Sequence, residues 1–194
     1  MRIGIDIDGV LTNEDDYILD YTSKYCYENG LDFFTEPYRY EYQKLNWNKS
    51  TIDNYRSQYF MNYVDEEPPR KFASEVIKKL KNEGHSIYII TGRTKTTEDS
   101  EIGEIMRTKI KKWLEKNEIV YDKIMFAKMP KTKEIKENNI DIMIEDSPEI
   151  IPIISKNVHV LCYDTRYNRN LQCSNMTRVY SWYDILRKIV NSTM

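Results

Sequence analysis

The chain has 194 residues, and its 29 Lys and Arg against 31 Asp and Glu give a formal net charge of −2. This balance excludes the strongly basic character typical of proteins that bind nucleic acid polymers or anionic membranes. Three widely spaced cysteines and two histidines exclude a disulfide framework and a multi-histidine metal site, and no apolar stretch approaches the roughly 18 residues of a membrane span. We expect a cytoplasmic protein of one domain, whose oligomeric state the sequence does not indicate.

The first predicted element is a short strand. Isoleucines at positions 3, 5 and 7 alternate with Gly4, Asp6 and Asp8, and the run ends in Gly9. Alternation of apolar and polar residues is typical of a strand, and the glycine is typical of a turn. The chain therefore begins with a strand that opens into a tight turn.

Residues 13–69 have a different character, with many tyrosines and acidic residues. Tyrosine and isoleucine recur every three or four residues in two stretches, which predicts two helices. We expect Gly30 to end the first helix, Ser50 to cap the second, and the proline pair at 68–69 to end the region.

After residue 70, helical and strand-like patterns alternate regularly. Apolar residues at helical spacing predict helices at 72–80, 102–113, 133–138, 148–155 and 181–190. Apolar runs predict strands at 87–90, 124–126, 140–144 and 158–162. This alternation predicts an α/β fold, a Rossmann-like parallel sheet sandwiched by helices. We expect a core of residues 1–12 and 70–194, with residues 13–69 inserted after the first strand as a small helical cap.

An acidic pair follows the first strand. Asp6 and Asp8 lie two residues apart, so both side chains leave the same face of an extended chain. They lie at the edge where parallel α/β sheets bind ligands. Two carboxylates this close repel each other unless a cation lies between them, and Mg²⁺ prefers such oxygen ligands. Taken alone, the pair is explained equally well as an ordinary acidic turn.

Four further residues are predicted at the same edge. Thr91 follows the strand at 87–90, Glu145 and Asp146 follow the strand at 140–144, and Lys131 begins the helix before that strand. Each of these residues alone is typical of a structural or solvated position. Together they supply carboxylates for a metal, and a hydroxyl and an ammonium for phosphate oxygens, which predicts phosphoryl transfer.

These segments resemble the four motifs of the haloacid dehalogenase superfamily: DIDGVLT at 6–12, Thr91, Lys131 and EDSP at 145–148. The resemblance implies that Asp6 is a nucleophile that forms an aspartyl-phosphate, and that Asp8 is the general acid and base. It also implies that Thr91 hydrogen-bonds the transferring phosphoryl group, while Lys131 holds Asp6 and the phosphate oxygens together.

The same resemblance implies Mg²⁺ as cofactor. Its ligands would be Asp6, the backbone carbonyl of Asp8 and one carboxylate of the Glu145-Asp146 pair. Many superfamily members have two aspartates where this chain has Glu145 and Asp146. We favour Glu145 as the direct ligand, with Asp146 bound through water.

The sequence offers two candidates for the phosphate-binding lysine, Lys131 and Lys133. Lys131 fits the pattern better, because Ile135 then falls four residues later on the buried face of the helix.

A finer resemblance concerns the substrate. Segments 68–93 and 131–149, with the tail at 161–189, resemble the cytosolic-type 5′-nucleotidases and 5′(3′)-deoxyribonucleotidases and their bacterial relatives. This resemblance implies a small phosphorylated substrate, with a (deoxy)nucleoside monophosphate favoured. Two alternatives stay open: a phosphatase for a sugar phosphate or another small phosphomonoester, and a phosphate-binding protein without turnover.

Tyrosine is concentrated in the predicted cap. Ten of the 16 tyrosines lie there, at positions 17, 21, 25, 27, 38, 40, 42, 55, 59 and 63. A helical cap with little aliphatic content must build its own core, and tyrosines at helical spacing can do so. Tyrosines that face Asp6 can instead stack on a nucleobase. Packing and substrate contact both stay open for each of them.

Three other residues receive no role in the chemistry. Arg93 follows Thr91 and Gly92 and could approach a phosphate, but we favour a surface residue that pairs with a nearby Glu. Tyr167 and Asn168 match the tail of the nucleotidases, but the sequence assigns them no chemistry.

Overall fold

The computed structural model describes residues 1–33 and 47–193. The strands are β1 (Arg2–Ile5), β2 (Ser86–Thr91), β3 (Lys123–Phe126), β4 (Ile142–Glu145), β5 (His159–Tyr163) and β6 (Met176–Val179). The helices are α1 (Glu14–Asn29), α2 (Lys49–Glu66), α3 (Ala73–Asn82), α4 (Glu101–Lys116), α5 (Thr132–Glu137), α6 (Ile151–Ile154) and α7 (Trp182–Thr193).

The strands form one parallel sheet in the order β3-β2-β1-β4-β5-β6. β1 pairs with β2 on one side and with β4 on the other, so the carboxyl ends of these three strands lie side by side. The predicted α/β fold with a Rossmann-like parallel sheet is confirmed. The sequence pattern missed β6, because MTRV carries too few apolar residues to read as a strand.

Helices cover both faces of the sheet because successive residues of a strand point to opposite sides. In β4, Ile142 and Ile144 join an apolar core that includes residues of α3 and α7. Met143 joins a second core that includes residues of α5 and α6. Trp182 is fully buried and anchors α7 on the first of these cores. Within residues 1–33 and 47–193, none of the helices combines the length and apolarity that a bilayer crossing requires.

α1 and α2 form an excursion between β1 and α3. Thr12 and Pro69 make an isolated antiparallel bridge at the base of this excursion. Gly30 ends α1 in the left-handed conformation, with φ of 62°, and α2 ends at Glu66, just before the two prolines. Both predicted ends are therefore confirmed.

Tyrosines build much of the contact between α1 and α2. Tyr17 stacks on Tyr21 with ring centroids 4.0 Å apart. The buried members are Tyr17, Tyr25, Tyr55, Tyr59 and Tyr63. Their predicted packing role is confirmed, whereas Tyr27 is 90% exposed. Tyr38, Tyr40 and Tyr42, for which the same role is predicted, lie outside the described residues.

Two expected helix starts are wrong. Asn48 caps α2, since its Oδ1 accepts the Thr51 backbone N–H at 2.9 Å, and Ser50 lies inside the first turn. Phe72 precedes α3 in the left-handed conformation and is 49% exposed, so it does not lie on the buried face of that helix. Both errors are local, because several polar or apolar residues near a helix start satisfy the same pattern.

Candidate active site

Four segments meet at the carboxyl edge of the sheet. Asp6 follows β1, Thr91 ends β2, and Glu145 ends β4, so neighbouring strands bring these residues together. Lys131 lies at the N-cap of α5, the helix between β3 and β4 in the chain. A cavity of about 170 Å³ opens here, and its lining includes Asp6, Asp8, Arg93, Lys131, Glu145 and Asp146.

Lys131 is the cation at the centre of the site. Its side chain is 1% exposed, and its Nζ lies 2.8 Å from Asp6 Oδ1 and 2.7 Å from Glu145 Oε2. Burial alone would lower the pKa of the Lys131 ammonium, but the two carboxylates outweigh this effect and raise it. Lys131 is therefore charged and links the ends of β1 and β4. Lys133 is exposed, so the structure brings Lys131 and not Lys133 into the site.

Glu145 is fully buried, and both of its carboxylate oxygens accept hydrogen bonds. Oε1 accepts the backbone N–H groups of Asp146 and Ser147, each at 3.1 Å, and Oε2 accepts from Lys131. Asp146 Oδ2 accepts the hydroxyl proton of Tyr167. In the part of the chain that the structure describes, Asp146 Oδ1 accepts no hydrogen bond from a protein donor. Glu145 thus accepts more hydrogen bonds from protein groups than the Asp146 carboxylate does.

Two residues of the tail and one glycine hold Asp146 in place. Asn168 donates its side-chain N–H to the backbone oxygen of Asp146 at 2.7 Å, and the Tyr167 hydroxyl donates to the Asp146 carboxylate. Gly9 has φ of 77°, and a Cβ at this position would overlap Asp146 Oδ2. Only glycine combines this backbone conformation with so close an approach. The sequence gives Tyr167 and Asn168 no role. In the structure both residues hold Asp146 in position.

Asp6, Glu145 and Asp146 form a buried acidic cluster whose carboxylate oxygens lie within 4.8 Å of one another. Lys131 supplies one positive charge against their three carboxylates. Burial raises the pKa of Asp6 to about 7 against the pull of Lys131, and repulsion from Glu145 adds to the rise. Burial and the same repulsion raise the pKa of Asp146. Asp6 Oδ1 is buried without a well-formed hydrogen bond. This excess of buried oxygen ligands fits a divalent metal ion.

Asp8 lies beside this cluster and is held by Arg93 and Tyr63. Arg93 Nε lies 3.0 Å from Asp8 Oδ1 and 3.1 Å from Oδ2, and the Tyr63 hydroxyl donates to Oδ1 at 2.7 Å. Burial alone would raise the pKa of Asp8, but Arg93 and Tyr63 outweigh it and hold this pKa below its ordinary value. The expectation for Arg93 is wrong: this residue is only 6% exposed and pairs with Asp8.

Thr91 is fully buried at the end of β2. Its Oγ1 accepts the backbone N–H of Arg93 at 3.2 Å. A hydroxyl that accepts in this way keeps its own proton as a donor. Thr91 can therefore serve as a hydrogen-bond donor at the edge where Asp6 lies.

A larger aromatic cavity adjoins the acidic one. It has a volume of about 510 Å³ and lies between α1, α2 and α4, with Tyr17, Tyr55, Tyr59, Phe60, Ile102 and Met106 in its lining. The two cavities share Glu14, Phe60, Tyr63 and Thr94. Charged groups that can bind a metal ion or phosphate oxygens thus lie next to a largely apolar space that is lined by aromatic rings.

All six residues that the sequence singled out lie at this edge: Asp6, Asp8, Thr91, Lys131, Glu145 and Asp146. Sequence reasoning missed Arg93 and Tyr63. A signal for Arg93 existed, since it lies two residues after Thr91 at the end of a strand. Tyr63 shares its helical stripe with Tyr55 and Tyr59, and only the tertiary structure shows which of these tyrosines reaches Asp8.

Two curated relatives match the chain over nearly its whole length. "Putative nucleotidase YqfW" of Bacillus subtilis is 26% identical over 99% of this chain and 95% of its own length. A "Putative nucleotidase" of Bacillus cereus is 29% identical over 97% of this chain and 99% of its own length. No family model matches the chain.

Solved structures share the fold at low sequence identity. A "predicted phosphatase" from Clostridium acetobutylicum superposes with a TM-score of 0.64 at 17% identity, over 98% of each chain. A hydrolase of the haloacid dehalogenase-like family from Streptococcus pneumoniae superposes with a TM-score of 0.61 at 12% identity, over 100% of this chain and 98% of the other.

In its fold the chain resembles a solved phosphatase and a solved hydrolase of the haloacid dehalogenase-like family. The two relatives that match its sequence over nearly the whole length carry the name nucleotidase, and the chain resembles them.

Proposed function

We propose that the protein is a Mg²⁺-dependent phosphomonoesterase that acts through an aspartyl-phosphate on (deoxy)nucleoside monophosphates. The observation that carries this proposal is the acidic cavity itself, in which Asp6 lies beside the Lys131 ammonium and two further buried carboxylates. The adjoining aromatic cavity supports the choice of a nucleotide.

The side chains divide the reaction between them. In the first step, an Asp6 oxygen bonds to phosphorus and the bond from phosphorus to the ester oxygen breaks. Asp8, which Arg93 and Tyr63 keep ionised in the free protein, takes a proton from the phosphate monoanion and passes it to that leaving oxygen. In the second step, a water oxygen bonds to phosphorus, Asp8 takes its proton, and Asp6 leaves as a carboxylate. Lys131 and the Thr91 hydroxyl stabilise charge on the phosphoryl oxygens throughout.

Asp6, Asp146 and the backbone carbonyl of Asp8 would hold the metal, which supplies positive charge opposite the phosphoryl oxygens when it is bound. The contacts favour Asp146 over Glu145 as the direct ligand, which reverses the order favoured from the sequence. Glu145 already accepts from Lys131 and from two backbone N–H groups, whereas Asp146 keeps an oxygen without a donor among the described residues. Glu145 would then orient Lys131.

We further propose that residues 13–69 act as the cap that selects the substrate, over a core of residues 1–12 and 70–194. α1 and α2 supply most of the aromatic lining, while the acidic residues come from the core. A nucleobase can stack on such rings while the phosphate enters the acidic cavity.

Hydrolysis assays test this function. We expect the protein to release p-nitrophenol from p-nitrophenyl phosphate with Mg²⁺ and to lose this activity in EDTA. We also expect nucleoside 5′-monophosphates to be hydrolysed at least about tenfold faster than ribose 5-phosphate, because only the nucleotides fill the aromatic cavity. Equal rates would favour a sugar phosphate as substrate, and no turnover of any ester would favour a phosphate-binding protein.

Metal stabilisation should depend on pH. In the metal-free protein, burial raises the pKa of Asp6 from 3.8 to about 7, so the folded state holds a proton there that the unfolded state has lost. The metal-free protein therefore loses stability as the pH rises from about 4 to about 7. Bound metal offsets this loss, but below pH 7 it must first displace the proton.

We expect Mg²⁺ at a hundred times its dissociation constant to add about 2.7 kcal/mol of stability at pH 8, or about 5–10 °C in the unfolding temperature. At pH 5.5 the same concentration should add clearly less. Thermal unfolding with MgCl₂, and with NaCl at equal ionic strength as the control, measures both shifts. Equal shifts at the two pH values would contradict the assignment of Asp6 as a metal ligand.

A further inference from the structure

Tyr63 is a residue of α2, yet its hydroxyl reaches the carboxylate of Asp8 in the core. It donates to Asp8 Oδ1 at 2.7 Å and lies 2.7 Å from Thr12 Oγ1. Tyr63 is 6% exposed and Thr12 is 1% exposed, so water does not compete for these bonds. Its ring packs against Tyr17 at 4.9 Å and lies 5.1 Å from the Arg93 guanidinium carbon. The hydroxyl is therefore held from several sides.

The proton of the Tyr63 hydroxyl can be assigned. A carboxylate only accepts, so Tyr63 must give its single proton to Asp8. The Thr12 hydroxyl also has one proton, which it donates to the Ile7 backbone oxygen at 3.1 Å or shares with the Tyr63 oxygen at 2.7 Å. The Tyr63 hydroxyl is therefore the donor to Asp8, with the Thr12 hydroxyl packed beside it.

The same contacts distinguish the two oxygens of Asp8. Oδ1 accepts from Tyr63 and from two nitrogens of Arg93, which fills both of its lone pairs. Among the residues that the structure describes, Oδ2 accepts only from Arg93 Nε, at 3.1 Å. A proton that Asp8 carries as a general acid is therefore directed to Oδ2.

We propose that Tyr63 is a cap-borne positioning residue that selects Oδ2 of Asp8 as the oxygen that exchanges protons with the leaving group and with water. This inference rests on the proposed function of Asp8. It means that the acid and base step is fully arranged only while α2 packs on the core. Arg93 donates twice to Oδ1 and once to Oδ2, and Tyr63 of α2 adds a third donor to Oδ1 alone. Binding at the cap and chemistry in the core are thereby coupled through one hydroxyl.

Leaving-group dependence tests this role. An alkyl phosphate needs a proton on its leaving oxygen, whereas p-nitrophenol leaves readily as the anion. We expect Tyr63→Phe to lower kcat/KM for an alkyl ester at least about tenfold more than for p-nitrophenyl phosphate. The alkyl ester is a nucleoside 5′-monophosphate or ribose 5-phosphate, whichever the unmodified protein hydrolyses faster. Thr12→Val should change the two rates in the same unequal way, by a smaller factor.

Tyr25→Phe is the matched control, since Tyr25 is buried between the same helices but lines neither cavity. It should leave both rates within about twofold. A loss in Tyr63→Phe that is equal for the two esters, or no loss for either, would overturn the positioning role. If Tyr63→Phe does not fold, Thr12→Val decides by the same comparison. Absence of turnover in the unmodified protein would instead refute the proposed function.

Discussion

Asp6→Asn should lower kcat for p-nitrophenyl phosphate by at least about 10⁴-fold. An amide oxygen is a far weaker nucleophile than a carboxylate, and removal of a catalytic nucleophile removes the covalent route altogether. The fold should survive the change. Burial raises the pKa of Asp6 to about 7, so its charge is disfavoured in the metal-free folded state, and a neutral side chain of the same shape relieves that strain.

The measurement is steady-state hydrolysis together with the thermal unfolding midpoint. We expect the metal-free Asp6→Asn protein to unfold at an equal or higher temperature than the unmodified protein at pH 8. Asp99→Asn is the control for a change of charge, because Asp99 is exposed and lies outside both cavities. Full activity in Asp6→Asn would rule out the aspartyl-phosphate. Asp6→Ala guards against recovery of the carboxylate by deamidation.

The position of the acidic site was readable from the sequence because it depends on few rules. Parallel strands align their carboxyl ends, so residues that follow separate strands meet at one edge. Thr91 and Glu145 follow short apolar runs, and Asp6 follows an alternating stretch, and both patterns are typical of strands. Lys131 was predicted with them from its place at a helix start, and the structure confirms that it contacts Asp6.

The fine contacts were not readable, because they depend on how separate elements pack. Arg93 looks like a surface residue in the sequence, and only the approach of α2 encloses it beside Asp8 and Tyr63. The choice of Glu145 or Asp146 as the direct metal ligand likewise depends on which carboxylate oxygens accept hydrogen bonds from Lys131 and Tyr167. These long-range contacts leave no trace in spacing or periodicity.

The sequence offers two explanations for the many tyrosines between residues 13 and 69, packing between helices and contact with the substrate, and the structure is consistent with both. Tyr25 is buried between α1 and α2, so it packs. Tyr17, Tyr55 and Tyr59 are buried too, yet each also lines the aromatic cavity. Tyr63 faces both cavities and contacts Asp8 as well. One set of tyrosine rings can therefore hold α1 and α2 together, line the aromatic cavity and contact Asp8.

Lys131→Met should be the most damaging single change to stability at this site. Lys131 is the counter-ion of both Asp6 and Glu145, and all three side chains are buried. Removing one partner of a buried ionic network leaves charge without compensation, which costs about 3–5 kcal/mol. Loss of a cation beside the phosphoryl oxygens should also lower kcat by about 10²–10³-fold.

Lys133→Met is the control that separates the loss of the buried Lys131 ammonium from the loss of any lysine near the start of α5. Lys133 is exposed, so its replacement should change stability by no more than about 0.5 kcal/mol and leave kcat unchanged. Saturating Mg²⁺ should restore part of the stability of Lys131→Met, because the metal compensates the same carboxylates, but it should not restore kcat to the same degree. Chemical denaturation with and without Mg²⁺ measures the first quantity, and hydrolysis of p-nitrophenyl phosphate measures the second. Equal losses in the two variants would mean that the Lys131 ammonium is not the cation that organises Asp6 and Glu145.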